Sequence, residues 1–135
     1  MIIPWKDEYS LGIASIDTQH KKLIGTINTL GDTLLTGSKK SDIDTAIAQM
    51  ETYMKEHFFF EEEYFKTLQY DGTAEHITEH QVFLDKTKDF RTRALDEEDA
   101  MLSIEILGYL EEWFLHHVLV VDRQYVSDFQ AHGIN

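Results

Sequence analysis

The segment ILGYLEEWFLHHVLVVDRQY, residues 106–125, decides the fold class because its apolar side chains recur at spacings of three and four residues. Such spacing places them along one side of an α-helix, where they face a common core. We predict one long amphipathic helix here, from about residue 100 to about residue 129. Its inward side chains are Ile106, Leu110, Trp113, Phe114, Val120, Val121 and Tyr125.

Three further segments show the same helical spacing, at about residues 17–36, 42–69 and 73–94. Ser15 or Asp17 is expected to cap the first helix and Ser41 the second, while Gly37 ends the first. The one proline is Pro4, which precedes all four segments. Four amphipathic helices with short links predict an all-α, antiparallel up-down-up-down four-helix bundle with an extended N-terminal arm.

The length of 135 residues suits one domain, which we expect to comprise an arm at 1–14 and a bundle at 15–131. A formal net charge of −13 makes nucleic acid and anionic membrane surfaces poor partners. The sequence shows neither a signal peptide nor a membrane span, so a cytoplasmic location without membrane insertion is expected.

Cysteine is absent, so imidazole and carboxylate groups must hold any metal, which favours iron, zinc or manganese.

Five of the seven histidines fall on the inward side of the predicted helices. Taken singly, each of these residues has an ordinary explanation. An inward histidine is usually a hydrogen-bonded core residue, and a single HxxxH pair can arise by chance. Glu61 belongs to an acidic run and could be solvated. Together, however, these groups would cost several kcal/mol to bury without partners. A metal centre inside the bundle resolves this conflict. The inward residues are His20, His57, Glu61, His76, His80 and His117.

Asp122 is a further candidate, although it lies five residues after His117, about 140° around an ideal helix. Either its side chain reaches across to the site, or a π-bulge brings it to the same side of the helix. The two remaining histidines, His116 and His132, are expected to be solvated.

Four motifs resemble those of the hemerythrin family in its single-domain bacterial form. IDTQHKKL at 16–23 is similar to the first-helix signature, and HFFFEE at 57–62 to the HxxxE element. HITEH at 76–80 is similar to the HxxxH element, and WFLHHVLVVDRQY at 113–125 to the last element, WLxxHIxxxDxxY. This alignment selects His117 over His116 and makes Asp122 a ligand. The absence of a proline after Tyr70 departs from many members and affects only a turn.

The resemblance implies two iron ions joined by an oxo or hydroxo bridge. His76, His80 and His117 would hold one iron and His20 with His57 the other, while Glu61 and Asp122 bridge both. If both carboxylates and one solvent oxygen are shared, the iron with two histidines is five-coordinate and keeps an open position. Dioxygen is the expected ligand there. An apolar pocket is expected around this open position, and the residues proposed for its walls are Val120, Phe58, Ile24 and Trp113.

Several functions fit such a site. The preferred one is reversible dioxygen binding by a monomeric, non-enzymatic carrier, store or delivery protein, with a possible oxygen-using partner protein. The alternatives are an oxygen or redox sensor, and an oxidase or peroxidase acting at the same irons. The fourth possibility is a helical bundle whose histidines are structural or bind zinc. The balance of five histidines to two carboxylates favours binding over oxidase chemistry, since carboxylate-rich di-iron bundles have the reverse balance.

Overall fold

A computed structural model describes residues 3–96 and 101–135, and these form four long helices packed as a bundle. The helices are neighbours in the cyclic order α1, α2, α3, α4, and the C-terminal parts of α2 and α4 also contact each other. The prediction of an all-α four-helix bundle is confirmed. The helices are α1 at Ala14–Thr33, α2 at residues 40–68, α3 at Thr73–Arg93 and α4 at residues 102–131.

Two of the four helices change their winding near the middle. In α2, the α-helical part Lys40–Tyr53 passes into a π-helical turn, Met54–Phe58, and then into Phe59–Leu68. In α4, the α-helical part is followed by a longer π-helical stretch and a short 3₁₀ turn before the last α-helical turn. These parts of α4 are Leu102–Trp113, Phe114–Val121, Asp122–Tyr125 and Val126–Ala131.

The helix starts differ from the predicted caps. The residue before α1 is Ile13, which offers no side-chain cap, so neither Ser15 nor Asp17 caps this helix. Asp17 instead accepts hydrogen bonds from the Ser10 hydroxyl and from the Leu11 N–H, the latter at 2.9 Å, and so ties the arm to the first turn. For α2 the predicted cap Ser41 is also wrong, because the helix already begins at Lys40.

The N-terminal arm packs on the bundle. Leu11 and Ile13 are buried, while Trp5 packs edge-to-face with Tyr9, and Tyr9 does so with Phe114. The arm is not fully extended, since Asp7–Tyr9 forms a short 3₁₀ turn. This turn allows Tyr9 to reach the bundle.

The apolar core consists of two clusters with a polar layer between them. The larger cluster takes in Leu23 of α1, Phe58 of α2 and Val118 of α4. The smaller takes in other side chains of the same helices, among them Ile16, Phe65 and Tyr125. On each of these helices, therefore, a short segment separates the two clusters. Within the part of the chain that the structure describes, no helix is long and apolar enough to cross a membrane.

Burial predicts how much individual phenylalanines stabilise the fold. Phe90 is fully buried, so replacing it with alanine leaves a cavity and should cost about 3–5 kcal/mol of unfolding free energy. The same replacement at Phe59, which is 65% exposed, removes little packing and should cost less than about 1 kcal/mol. Urea unfolding of the two variants measures the difference. Equal losses would contradict this account of the core.

Candidate metal centre

The polar layer between the two apolar clusters contains all seven side chains that the sequence selects as metal ligands. Each of the four helices contributes at least one of them, and none is more than 4% exposed. Nothing in the fold requires seven polar groups at this depth, so their convergence needs its own explanation. The seven are His20 from α1, His57 and Glu61 from α2, His76 and His80 from α3, and His117 and Asp122 from α4.

The donor atoms form two groups of the size that a metal ion needs. Within each group, one nitrogen or oxygen atom per residue lies within 4.8 Å of those of the other members. Five imidazoles divide three and two between these groups, and each group also contains one carboxylate. The first group is Glu61, His76, His80 and His117, and the second is His20, His57 and Asp122.

The two oxygens of Asp122 face different histidines. Oδ2 lies 3.0 Å from Nε2 of His20 and 3.2 Å from Nε2 of His57. Oδ1 lies 2.9 Å from Nε2 of His76 and 3.0 Å from Nε2 of His117. Asp122 therefore stands between the two groups and presents one oxygen to each.

Glu61 also lies between the groups, although it uses a single oxygen. Its Oε1 is 3.0 Å from Nε2 of His80 and 3.2 Å from Nε2 of His57, which belongs to the other group. Its second oxygen, Oε2, is buried and has no hydrogen-bond partner among the described residues.

Asp122 reaches the site because α4 is π-helical at this point. The N–H of Asp122 donates to the carbonyl of His117, five residues earlier, which is the π-helical hydrogen bond. Of the two alternatives left open by the spacing, the π-bulge is therefore correct. The same change of winding turns Val120 outward, where it is 49% exposed, so the prediction that Val120 lines the pocket is wrong.

Several buried polar atoms of the site lack hydrogen bonds. Nε2 of His76, Nε2 of His117 and Oδ1 of Asp122 have no partner of hydrogen-bond geometry in residues 3–96 and 101–135, despite their short separations. Leaving such atoms buried and unpaired costs about 1–3 kcal/mol each. A cation among them would take up their lone pairs and remove this cost. The residues present therefore fit a metal centre, and their donor types suit iron, zinc or manganese.

Side chains around the site hold the ligand candidates in place. Nδ1 of His57 lies 2.5 Å from Oε1 of Gln19, and Nδ1 of His80 lies 2.9 Å from Oε2 of Glu62. When Nδ1 donates its proton outward in this way, Nε2 is free to face the centre. Glu79 lies further out, 3.7 Å from Nδ1 of His117. These three residues were missed at the sequence level, although Gln19 and Glu62 each adjoin a predicted ligand.

Aromatic rings stack on three of the histidines. Phe58 lies parallel to the ring of His80 at 3.8 Å between centroids, and Trp113 lies parallel to His117 at 3.9 Å. Tyr53 stacks on His57 at 4.9 Å. Phe58 and Trp113 thus stack on histidines of the three-histidine group, whereas the sequence predicted them as walls of a pocket at the two-histidine iron. Tyr53, which stacks on His57, is a wall that the spacing did not reveal.

The carboxylates of the site are held in their charged form. Burial alone would raise the pKa of Glu61, but the nearby histidines outweigh burial and lower it to about 2. The pKa of Asp122 is also lowered well below its ordinary value, because the attraction of His117 and other imidazoles outweighs burial. Burial acts against charge on His76 too, yet Asp122 and Glu61 raise its pKa to about 10. Protons thus compensate the two carboxylates where a cation is absent.

The two other histidines lie outside the site. His116 and His132 are both exposed, in agreement with the prediction that they are solvated. His116 precedes a site residue by one position but points away from it, which supports the choice of His117.

A helical bundle with a buried histidine and carboxylate cluster defines a class of metal-binding proteins. Comparison with known proteins identifies the family: the family described as "Hemerythrin HHE cation binding domain" matches residues 11–127. The chain belongs to the hemerythrin family, and the resemblance seen in its motifs is confirmed.

Proteins named bacteriohemerythrin are similar to this chain over most of their length. The one from Clostridium acetobutylicum is 32% identical over 127 residues, which cover 91% of this chain and 98% of the relative. The one from Stenotrophomonas maltophilia is 30% identical and covers 97% of this chain and 84% of the relative. A third, from Pseudomonas aeruginosa, is 31% identical over 91% of this chain and 78% of the relative.

The raised pKa of His76 predicts how the stability of the metal-free chain depends on pH. Because this pKa is higher in the folded chain than in the unfolded one, the attraction to Asp122 and Glu61 is complete below about pH 6.5 and lost as the pH rises through about 10. We expect the unfolding free energy to fall over this interval, as measured by urea titration at a series of pH values. The variant His76→Asn should show a smaller fall, and an equal fall in both chains would contradict the prediction.

Proposed function

We propose that residues 1–135 form a single hemerythrin-like domain that binds dioxygen reversibly at two non-haem iron ions. His76, His80 and His117 are the histidines of one iron, and His20 and His57 those of the other. Glu61 and Asp122 bridge both ions. The proposal makes the chain a monomeric oxygen carrier, store or delivery protein, not an enzyme.

The position of Asp122 is the observation that carries this proposal. A carboxylate that serves one ion directs both oxygens, or a single oxygen, toward one set of ligands. Asp122 instead has Oδ2 near His20 and His57, and Oδ1 near His76 and His117. This arrangement supports two ions bridged by a carboxylate.

The unequal division of histidines supports an open coordination position on one side. Two ferrous ions in this site would supply that position and the two electrons that dioxygen takes up. On the same side, Gln19 orients His57 by accepting the hydrogen bond from its Nδ1, and Tyr53 covers the face of its ring. The side chains around the site thereby keep Nε2 of His57 directed inward and limit access of water.

Reversible binding is favoured over oxidase or peroxidase chemistry by the ligand set and its surroundings. Five neutral imidazoles donate less charge to iron than additional carboxylates would, and so stabilise its higher oxidation states less. The stacked rings of Phe58, Trp113 and Tyr53 make the walls of the site apolar. An apolar wall slows the charge separation that would release reduced oxygen and leave both irons oxidised.

Iron content and visible absorption test the proposed function directly. We expect two irons per chain, loss of visible colour on anaerobic reduction, and reversible recovery of colour in air. His57→Ala should abolish the dioxygen complex, because it removes a ligand of the open iron, whereas His132→Ala should leave it unchanged. A colourless protein containing zinc, or continuous consumption of oxygen in the presence of a reductant, would contradict the proposal.

Two adjacent histidines give a matched test of the ligand set. His117→Ala should reduce the iron content by about half or more, since it removes one of three histidines from one ion. His116→Ala changes the same side chain one position earlier, on the exposed side of α4, and should retain two irons. Iron quantification after gel filtration compares them and also reports whether the chain is monomeric. Loss of iron from the His116 variant would exclude the proposed ligand set.

A further inference from the structure

A groove between α1 and α2 leads from the surface to one side of the metal centre. Its volume is about 330 Å³, and the six lining residues used below come from both helices. His57 is the one residue of the seven-membered centre that takes part in this lining. The six are Gln19, Leu23 and Gly25 from α1, and Thr52, Tyr53 and His57 from α2.

Gly25 has no structural reason to be a glycine. It lies inside α1, where glycine costs about 1 kcal/mol relative to alanine. It does not adopt a positive φ angle, and a Cβ atom added to it would meet no atom of the described residues within 4 Å. Close packing and backbone strain are therefore both excluded as explanations. Gly25 is exposed and lies on the groove lining, so the absence of a side chain leaves the groove wider at this point.

We propose that this groove is the path by which dioxygen and small anions reach the metal centre, and that Gly25 keeps the path open. The inference rests on the proposed function for its destination, because His57 is assigned to the iron with the open coordination position. A ring nitrogen of His57 faces Gln19 of the groove lining, while the other ring nitrogen faces the centre. The groove therefore ends one imidazole ring away from the site.

A second groove, between α3 and α4, is the alternative path, but it reaches the other side of the centre. Its lining includes Trp113 and His117, so it ends at the iron that is assigned three histidines. That iron has no open position in the proposed arrangement. The groove beside Gly25 is the one whose inner end matches the vacancy.

Three side chains close the inner end of the path. Tyr53 and Leu23 are 5% and 2% exposed, and Gln19 is held by its hydrogen bond to His57. At the outer rim, Lys22 pairs with Glu56 at 3.1 Å, and both of these side chains are well exposed. A diatomic molecule therefore enters an open groove and passes a short barrier formed by side chains of α1 and α2.

Filling the groove at Gly25 tests the proposal. Gly25→Leu adds a helix-favouring side chain, so the melting temperature should be equal or higher. The association rate of azide with the iron-loaded protein, followed by stopped-flow absorption, should fall by about fivefold or more because the path is narrowed. The affinity for azide should stay the same, since entry and exit slow together. Gly108→Leu is the matched control, because Gly108 lies in α4, is exposed and lines neither groove.

A second experiment examines the groove without any metal. The chain contains no cysteine, so a single introduced thiol reports its own accessibility. Leu23→Cys places a thiol on the lining, whereas Ile27→Cys places one a helical turn further along α1, fully buried and away from both grooves. A small methanethiosulfonate should react at least about tenfold faster with the first, and Gly25→Leu in that background should slow the reaction.

The outcomes separate this inference from the proposed function. Slower azide association in Gly25→Leu but not in Gly108→Leu, with faster labelling at position 23 than at 27, supports the path. An unchanged azide rate in a folded Gly25→Leu protein, or equal labelling at the two positions, overturns it. A chain that binds no iron contradicts the proposed function instead, and the labelling result with the metal-free protein then still decides whether the groove admits small molecules.

Discussion

The electrostatic requirement of a buried polar layer governs this molecule. Seven side chains that water would normally solvate lie between two apolar clusters, and each is at most 4% exposed. An uncompensated buried charge costs several kcal/mol, while a domain of this size is stable by only about 5–15 kcal/mol in total. Burial of this layer is therefore compatible with a stable fold only if its charges are compensated, either by protons on the histidines or by cations. Every other feature of the centre follows from how the four helices meet this requirement.

The irregular winding of α4 is one consequence. An α-helix presents residues three, four or seven apart on one side, and this spacing serves His57 with Glu61 and His76 with His80. Asp122 lies five residues after His117, a separation that only a π-helical turn brings to the same side. Such turns are less stable than regular α-helix, and they persist here because Asp122 is surrounded by four imidazoles. The local cost in the backbone is offset by electrostatic compensation in the site.

The difference between regular and irregular helical winding explains what the sequence could and could not predict. The fold class and the inward position of six of the seven side chains follow from patterns that are regular along the chain, namely apolar spacing and polar residues on apolar sides. Asp122 was selected only through the resemblance of the last motif, because its spacing from His117 does not fit a regular α-helix. The outward position of Val120 does not follow, because counting at 100° per residue fails once α4 becomes π-helical. The caps at Ser15 and Ser41 were wrong because helix starts depend on tertiary partners such as the arm, where Ser10 and Leu11 bind Asp17. Gln19, Glu62 and Tyr53 were missed because contacts between helices depend on their packing.

The surroundings of the two histidine groups differ in charge, and this difference bears on where a ligand binds. On the side of the three histidines, the outward nitrogen of His80 meets the carboxylate of Glu62, and Glu79 lies near His117. On the side of the two histidines, the outward nitrogen of His57 meets the neutral amide of Gln19. A carboxylate partner makes an imidazole a stronger donor, whereas an amide mainly orients it. The side with fewer histidines is thus also the side whose outward hydrogen bond has a neutral partner, and the groove beside Gly25 ends there. A metal ion held on that side would have the greater need of an additional ligand.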